Sequence, residues 1–404
     1  MGNVSSSNGN SENVPKLRFP QFQDEWETVK LGDIGTFTKG APLSKADISE
    51  KGTPFILYGE LYTTYDEVTY EIKRKTDKIV SETYYSKIGD VIIPTSGETP
   101  EEIATATCVM LPDVILAGDL NIYRTSAVDG RIVSFIINHV INDKISKVAQ
   151  GKSVVHVKAE EIGKISINYP NAKEQKKILS FLELLDKKID KQKQLVESLK
   201  SYKRGVMRCI FREKSIIFSA KTKWSSVRLG DECTFFSGGT PKSTESSYYG
   251  GNIPFIRSGE IHSDKTELFL TTSGLSNSSA KLVHKGDLII ALYGATSGEV
   301  DISKIDGAIN QAILCVRPSN VNTFYLRYLM EDSKDDIINT YLQGGQGNLS
   351  AEIIKDLRFD IPDDNTQSFV VDFLAMIDRK IEFATAEYEQ FQSMKDGLLQ
   401  QLFI

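Results

Sequence analysis

Cysteine is scarce in this 404-residue chain: Cys108, Cys209, Cys233 and Cys315 lie far apart, with no Cys-x-x-Cys pair among them. Such spacing supplies neither a zinc site nor a disulfide framework, and it suits reduced thiols in the cytoplasm. Histidine is as rare, with 4 scattered residues. No apolar run reaches the roughly eighteen residues needed to span a membrane, and the N-terminus lacks a basic-then-apolar signal pattern. An excess of positive charge is missing too: the net charge is −6. That is awkward for a protein that contacts nucleic acid unaided, because phosphate contacts need clustered Lys and Arg. Either the charge is unevenly distributed or a partner supplies part of it.

The usual marks of catalysis are also lacking. No His-Glu-x-x-His, no Gly-x-Ser-x-Gly and no cluster of paired acids with lysine occurs. Gly151-Lys152-Ser153 resembles the end of a phosphate-binding loop, but Ser146 stands where its first glycine belongs and a helix, not a strand, precedes it. Asn168-Tyr169-Pro170 superficially resembles the Asn-Pro-Pro-Tyr motif of DNA amino-methyltransferases, without the second proline or an upstream glycine-rich cofactor motif. Asp363-Asp364 are adjacent acids at a helix start, where the macrodipole accounts for them.

What is present is an internal repeat. Trp26, Leu31, Gly32, Asp33, Thr36, Phe37 and Gly40 recur as Trp224, Leu229, Gly230, Asp231, Thr234, Phe235 and Gly238, at an offset of 198. Pro54-Phe55-Ile56 with Gly59-Glu60 recurs as Pro254-Phe255-Ile256 with Gly259-Glu260, at 200, and Gly89-Asp90 as Gly286-Asp287, at 197. Gln175, Phe181, Leu182, Asp186, Lys188 and Ile189 match Gln367, Phe373, Leu374, Asp378, Lys380 and Ile381, at 192. A slowly drifting offset means small loop insertions in two copies of one fold.

Each copy has the same grammar. Short strands (36–37, 55–57, 91–93 and 114–116; then 255–256, 288–292 and 312–316) are separated by Gly, Pro, Ser and Thr turns. An amphipathic helix follows, over 132–148 or 323–341, then a glycine-containing loop, 150–153 or 343–347, and a segment ending at Pro170 or Pro362. This predicts mixed α/β (α+β) domains on a twisted, partly antiparallel sheet. The predicted divisions are a flexible Ser/Asn/Gly-rich head at 1–14, a domain at 15–170, a helix at 171–214, a second domain at 215–362 and a helix at 363–404.

After each proline the period becomes 3.5. Ile178, Leu182, Leu185, Ile189, Gln192, Val196, Leu199, Lys203, Val206 and Ile210 follow a 4-3 spacing, as do Val370, Leu374, Ile377, Ile381, Ala384, Tyr388, Phe391, Lys395, Leu398 and Leu402. Neither stretch contains proline, so a coiled coil is expected. Residues 173–214 hold thirteen basic against six acidic side chains, or +7, and residues 363–404 three against eight, or −5. Opposite signs favour pairing with each other over self-pairing. Two domain-then-helix units close most simply with the helices antiparallel, under a pseudo-twofold axis. Lys203 and Lys395 at core positions either fix the register or snorkel to the surface. Forty residues of helix make a rod of roughly 60 Å, the geometry of a reader of two separated half-sites on duplex DNA.

Two variable domains, two equivalent long helices, the Trp…Leu-Gly-Asp opening and the Gln…Phe-Leu…Asp-Lys/Arg-Lys-Ile helix start together resemble the specificity subunits of type I restriction–modification systems, from about Leu17 to Ile404. The resemblance implies a non-catalytic subunit in which each domain is a target-recognition domain for one half of a split DNA sequence and the helices form the spacer. It further implies docking of two methyltransferase subunits, with ATP-driven restriction subunits joining through them. No cofactor is then expected in this chain, S-adenosylmethionine, ATP and Mg2+ belonging to the partners. Partner subunits completing a clamp around DNA would also explain the acidic net charge. A visible basic stripe in either domain is a feature this chain lacks.

Direct readout needs Arg, Lys, Asn, Gln, Ser or Thr on loops that reach base edges. The natural candidates are places where the copies diverge within the shared frame. In copy one these are Lys39, Lys45, Tyr58, Thr95, Ser96, Asn121, Arg124, Lys152, Ser153 and His156; in copy two, Ser237, Lys242, Arg257, Ser258, Tyr293, Asn310, Gln311, Gln346 and Asn348. His156 on its own reads more readily as an ordinary surface or core histidine. Glu60 and Glu260 recur in both copies, which favours a shared cap or buried pair over base readout. The competing reading from another class is a coiled-coil adaptor whose two domains bind proteins. It predicts no salt-dependent DNA affinity once partner subunits are present.

Overall fold

The computed structural model describes residues 13–151, 154–213, 222–342 and 348–404. The chain divides into two compact units, one formed by Met1–Gln192 with Glu387–Ile404 and the other by Lys193–Ala386. The head expected at 1–14 lies outside the described residues as far as residue 12.

In the first unit the main sheet has five strands in the order Gly35–Lys39, Leu120–Thr125, Asp90–Pro94, Thr107–Val109 and Val68–Thr69. All its pairs are antiparallel except the last. A second sheet holds Thr53–Leu57 between Lys75–Thr76 and Ile115–Ala117, parallel to the latter with Phe55 opposite Ile115. The second unit repeats both sheets. Cys233–Ser237, Ile313–Pro318, Leu288–Ala291 and Val300–Ile302 form an antiparallel sheet. Tyr249–Ile256 runs parallel to Gly307–Ile309, with Phe255 opposite Ala308. The alternation of side chains places Ile92 and Ile122 in one core and Val91, Ile93 and Tyr123 in the other, as period two requires.

Each domain is closed by a strand pair that joins its beginning to its end. Glu27–Lys30 lies antiparallel to Ser166–Tyr169, and Trp224–Arg228 to Arg358–Pro362. Both closing strands lead directly into a long helix, Ala172–Arg208 or Asp364–Leu402. The first is capped by Asn171, whose Oδ1 accepts from the Lys173 and Glu174 N–H groups, and the second by Asp363, which accepts from the Thr366 N–H.

One buried glutamine in each unit fastens helix to domain. Gln175 Nε2 donates to the Pro170 carbonyl at 2.8 Å and its Oε1 accepts from the Asp129 N–H at 2.9 Å. Gln367 donates to Pro362 and accepts from the Asn322 N–H, both at 2.8 Å. Asp129 and Asn322 each begin the amphipathic helix of their own domain, so the recurring glutamine ties three elements together in both copies.

Within each unit the helices pair antiparallel. In the first, Lys188 lies over the Phe391 ring at 4.2 Å, Gln192 donates to Glu387 at 3.1 Å and Lys395 meets Asp186 at 2.9 Å. In the second, Lys203 meets Asp378 at 2.7 Å. Of the heptad residues, Ile178, Leu182, Leu185, Val196, Ile210, Val370, Leu374, Ile377 and Leu402 are buried. Ile189, Leu199, Val206, Ile381, Tyr388, Phe391 and Leu398 are half-buried. Leu179, Met207, Leu399 and Phe403 are buried outside the heptad pattern, because the helix ends touch a domain as well as a helix and need a wider apolar stripe. Phe403 meets Trp26 edge-on at 6.3 Å and stacks on Phe135 at 5.6 Å, so the end of the second helix belongs to the first domain's core.

One expected element differs. The single helix over 132–148 is two, Gly130–His139 and Asn142–Val148. Between them Val140 and Ile141 leave the helical region, with φ −122° and −111°, and Ile141 turns into the core. Its counterpart, Thr323–Leu342, is unbroken.

Candidate nucleic-acid interface

In each domain one end of the main sheet collects most of the divergent residues. In the first domain, Lys39 ends its strand opposite Asn121, which sits near the start of the neighbouring one. Thr95 and Ser96 follow the end of the third. His156 pairs with Ser96 across a two-residue ladder. Tyr58 reaches this end through Gly118, whose missing Cβ would stand 3.3 Å from its ring. In the second domain, Ser237 pairs with Leu314, and Gln311 accepts a short hydrogen bond from the Thr240 hydroxyl. Asn310 Oδ1 accepts from the Ala312 N–H at 3.1 Å. Tyr293 follows Leu292, whose carbonyl receives the Leu349 N–H beside Asn348.

A shared glycine lets the chain turn at this edge. A Cβ at Gly238 would lie 1.8 Å from the Ile309 carbonyl oxygen, and one at Gly40 would lie 2.8 Å from that of Gly118. Backbone crowding explains why both copies keep glycine immediately beyond the opening strand.

The candidates are not equally presented. Lys39, His156, Gln311 and Asn348 are exposed, while Tyr58, Thr95, Ser237, Ser258, Tyr293 and Asn310 are half-buried. Lys45, in a short 3-10 turn capped by Ser44, and Lys242 are exposed on loops outside the main sheet. Ser96 is buried and donates to Asp119 Oδ2 at 2.8 Å, and Asn121 is fully buried. Lys152, Ser153 and Gln346 lie outside the described residues.

Two arginines are held by acids. Arg124 sits at the opposite end of its strand from Asn121, with Nη2 2.8 Å from Asp90 Oδ2 and 2.9 Å from the Tyr85 carbonyl. Its bidentate grip on Asp90 is repeated by Arg317 on Asp287 at 2.6 and 2.8 Å. Arg124 is therefore part of the shared frame, and its guanidinium is spent on a buried carboxylate. The recurrence of Gly89-Asp90 and Gly286-Asp287 carried half of that signal; the arginines, at an offset of 193, carried the other half. Arg257 likewise pairs with Glu260 at 3.0 Å and Glu267 at 2.6 Å.

Glu60 and Glu260 have the shared role their recurrence suggested. Each accepts from the N–H three residues before it, Leu57 or Arg257, at 3.0 Å, closing a short 3-10 turn. Arg74 supplies the guanidinium to Glu60 at 2.8 Å, where Arg257 supplies it to Glu260. For Glu260, burial pushes the carboxyl up. The Arg257 hydrogen bonds and the Glu267 and Arg257 N–H donors outweigh it and hold the group at about 2.

Sequence reasoning passed over Asp119, Tyr62 and Thr240. Asp119 accepts from Ser96, Tyr62 donates to the Ser96 carbonyl at 2.9 Å, and Thr240 orients Gln311. The Gly118-Asp119 step, with Gly118 at φ +78°, was the available signal for the first of them.

Two copies of one α/β fold, each with divergent side chains gathered at one sheet end and each docked on paired heptad helices, define a duplicated recognition protein. The type I restriction modification DNA specificity domain matches this sequence twice, over residues 23–201 and 221–392. The chain belongs to that family, and is a non-catalytic specificity subunit with two target-recognition domains. The putative type I restriction enzyme MjaX specificity subunit of Methanocaldococcus jannaschii is 22% identical over 411 residues, covering 96% of this chain and 95% of its own. Two solved structures share the fold. The S subunit of a type I restriction–modification system from M. genitalium has a TM-score of 0.59 at 14% identity, covering 97% of this chain and 99% of that one. A chain from a study of complex assembly and conformational transition of the type I R-M system has a TM-score of 0.61 at 17% identity, covering 94% and 97%.

Proposed function

We propose that this subunit reads a bipartite, asymmetric target in duplex DNA, residues 15–170 reading one half and 215–362 the other. The observation that carries this reading is the gathering of unlike side chains on like frames: Lys39 and Asn121 stand where the second domain has Ser237 and Leu314. Positions shared by both copies, such as Asp90–Arg124 and Asp287–Arg317, hold the frame. Direct readout then falls to the exposed and half-buried residues of each sheet end, with Lys45 and Lys242 reaching from adjoining loops. The long helices dock two methyltransferase subunits, through which the restriction and translocase subunits join. S-adenosylmethionine, ATP and Mg2+ act on those partners, and the complex works in the cytoplasm. Among the described residues no helix is long and apolar enough to cross a membrane.

Grafting residues 20–170 from a relative with another target tests this. Methylome sequencing of a host carrying the chimera and its methyltransferase should show one half of the motif changed and the other intact. A motif changed in both halves, or in neither, overturns the reading.

A further inference from the structure

At the reading end of the first domain, Lys39 and Asn121 face each other across an antiparallel ladder. Lys39 Nζ donates to Asn121 Oδ1 at 3.0 Å. The lysine is exposed, whereas the asparagine is completely buried. Accepting from an ammonium fixes which way the amide points, and Asn121 Nδ2 then meets no acceptor among the described residues. A buried donor without a partner is costly, and such groups in native structures call for an explanation. The second domain avoids that cost altogether, since the same ladder position pairs Ser237 with Leu314.

We propose that Asn121 is a positioning residue that aims the Lys39 ammonium at a guanine in the first half of the target. The inference rests on the reading of this domain as a DNA reader. An ammonium has three donors. Asn121 Oδ1 takes one, leaving two for a ligand. Guanine is the base whose major-groove edge offers two adjacent acceptors, O6 and N7. A phosphate contact would need no such arrangement, because a lysine on its flexible four-carbon stem reaches a phosphate unaided. It would also be expected in both domains, which place their strands alike. The fixed amide and the divergence between copies both favour a base.

The test uses the full methyltransferase complex with wild-type subunit, Lys39→Gln, Asn121→Leu and Asn121→Asp. Methylome sequencing reads base preference, gel-shift titration across salt concentrations reads phosphate contacts, and thermal melting reads the fold. Lys39→Gln and Asn121→Leu should relax the same guanine position in the first half-site, with discrimination falling roughly tenfold. Asn121→Asp, which keeps the acceptor, should retain the preference. An unchanged motif in Lys39→Gln overturns the proposal. So does a salt slope reduced by about one with preference intact, which would mark Lys39 as a phosphate contact. A stable Asn121→Leu that keeps the guanine preference overturns the positioning role, and if that variant melts early, the surface variant Lys39→Gln still decides whether this ammonium reads the base. Wild-type complex that neither binds nor methylates a specific sequence would overturn the DNA-reading function itself, a distinguishable result.

Discussion

Lys203, at a core position of the first long helix, places its Nζ 2.7 Å from Oδ1 of Asp378 on the second. In the other unit Lys395 makes the matching contact with Asp186 at 2.9 Å. Both lysines also meet an acid of the domain beside them, Glu331 at 3.0 Å and Glu67 at 3.8 Å. Lys203 is only 8% exposed, so it is held between helix and domain instead of snorkelling to water. A charged pair at a heptad core position penalises slipped registers, in which one charge would be buried alone.

Asp378→Ala should therefore destabilise the protein. Removing one partner of a buried pair costs about 3–5 kcal/mol; partial exposure of Asp378 and the remaining Glu331 reduce this to roughly 2 kcal/mol. Replacing both partners, as Lys203→Met with Asp378→Leu, should restore much of the loss. Denaturant unfolding of the single and the double variant measures it, and a single variant as stable as wild type would show that the pair does not hold the register.

Gln367→Ala should be as damaging although no charge is involved. It strands the buried Pro362 carbonyl, at about 1–3 kcal/mol when unmade, and releases the N–H of Asn322, an exposed residue, at a smaller cost. Gln175→Ala should match it in the first unit, and near-silent effects on thermal unfolding would count against the three-element tie.

Arg124→Ala should lower stability and leave the methylated motif unchanged. It leaves the Asp90 carboxylate, 2% exposed, without its bidentate partner, a loss on the order of 3 kcal/mol. A changed base at any motif position would return Arg124 to the list of base readers.

Acid should weaken the first unit through Glu67. Burial pushes this carboxyl up, but the 2.6 Å contact with His139 and the charge of Lys395 outweigh it and hold the group at about 2. A depressed folded-state pKa contributes stability that is present above the unfolded value, near 4.5, and is lost as pH falls toward 2. Melting temperatures between pH 5 and about 2.5 should fall more steeply for wild type than for Glu67→Gln. Parallel curves would mean that Glu67 contributes nothing to the acid response.

The duplication, the two heptad helices and their opposite charges are legible in the sequence because they are periodic or repeated. A helix stripe or a shared Gly-Asp step needs no knowledge of what lies across from it. Glu60 and Glu260 could be set aside as structural on recurrence alone. Arg124 could not, because its partner Asp90 and its counterpart Arg317 had to be aligned together before the shared pair showed. The broken helix after His139 also escaped, since Val140 and Ile141 fit an apolar helical face and only core packing bends the chain there.

By itself the sequence determined the number of domains, their common frame and which residues differ between them. Only the tertiary structure decided which divergent side chains face outward. It buried Asn121 beneath Lys39, spent Arg124 and Arg257 on carboxylates, and drew Phe403 into the first domain's core. The reason is physical: burial and pairing depend on residues distant in the chain, Lys39 and Asn121 being 82 positions apart. Local propensity carries no information about a partner at that distance.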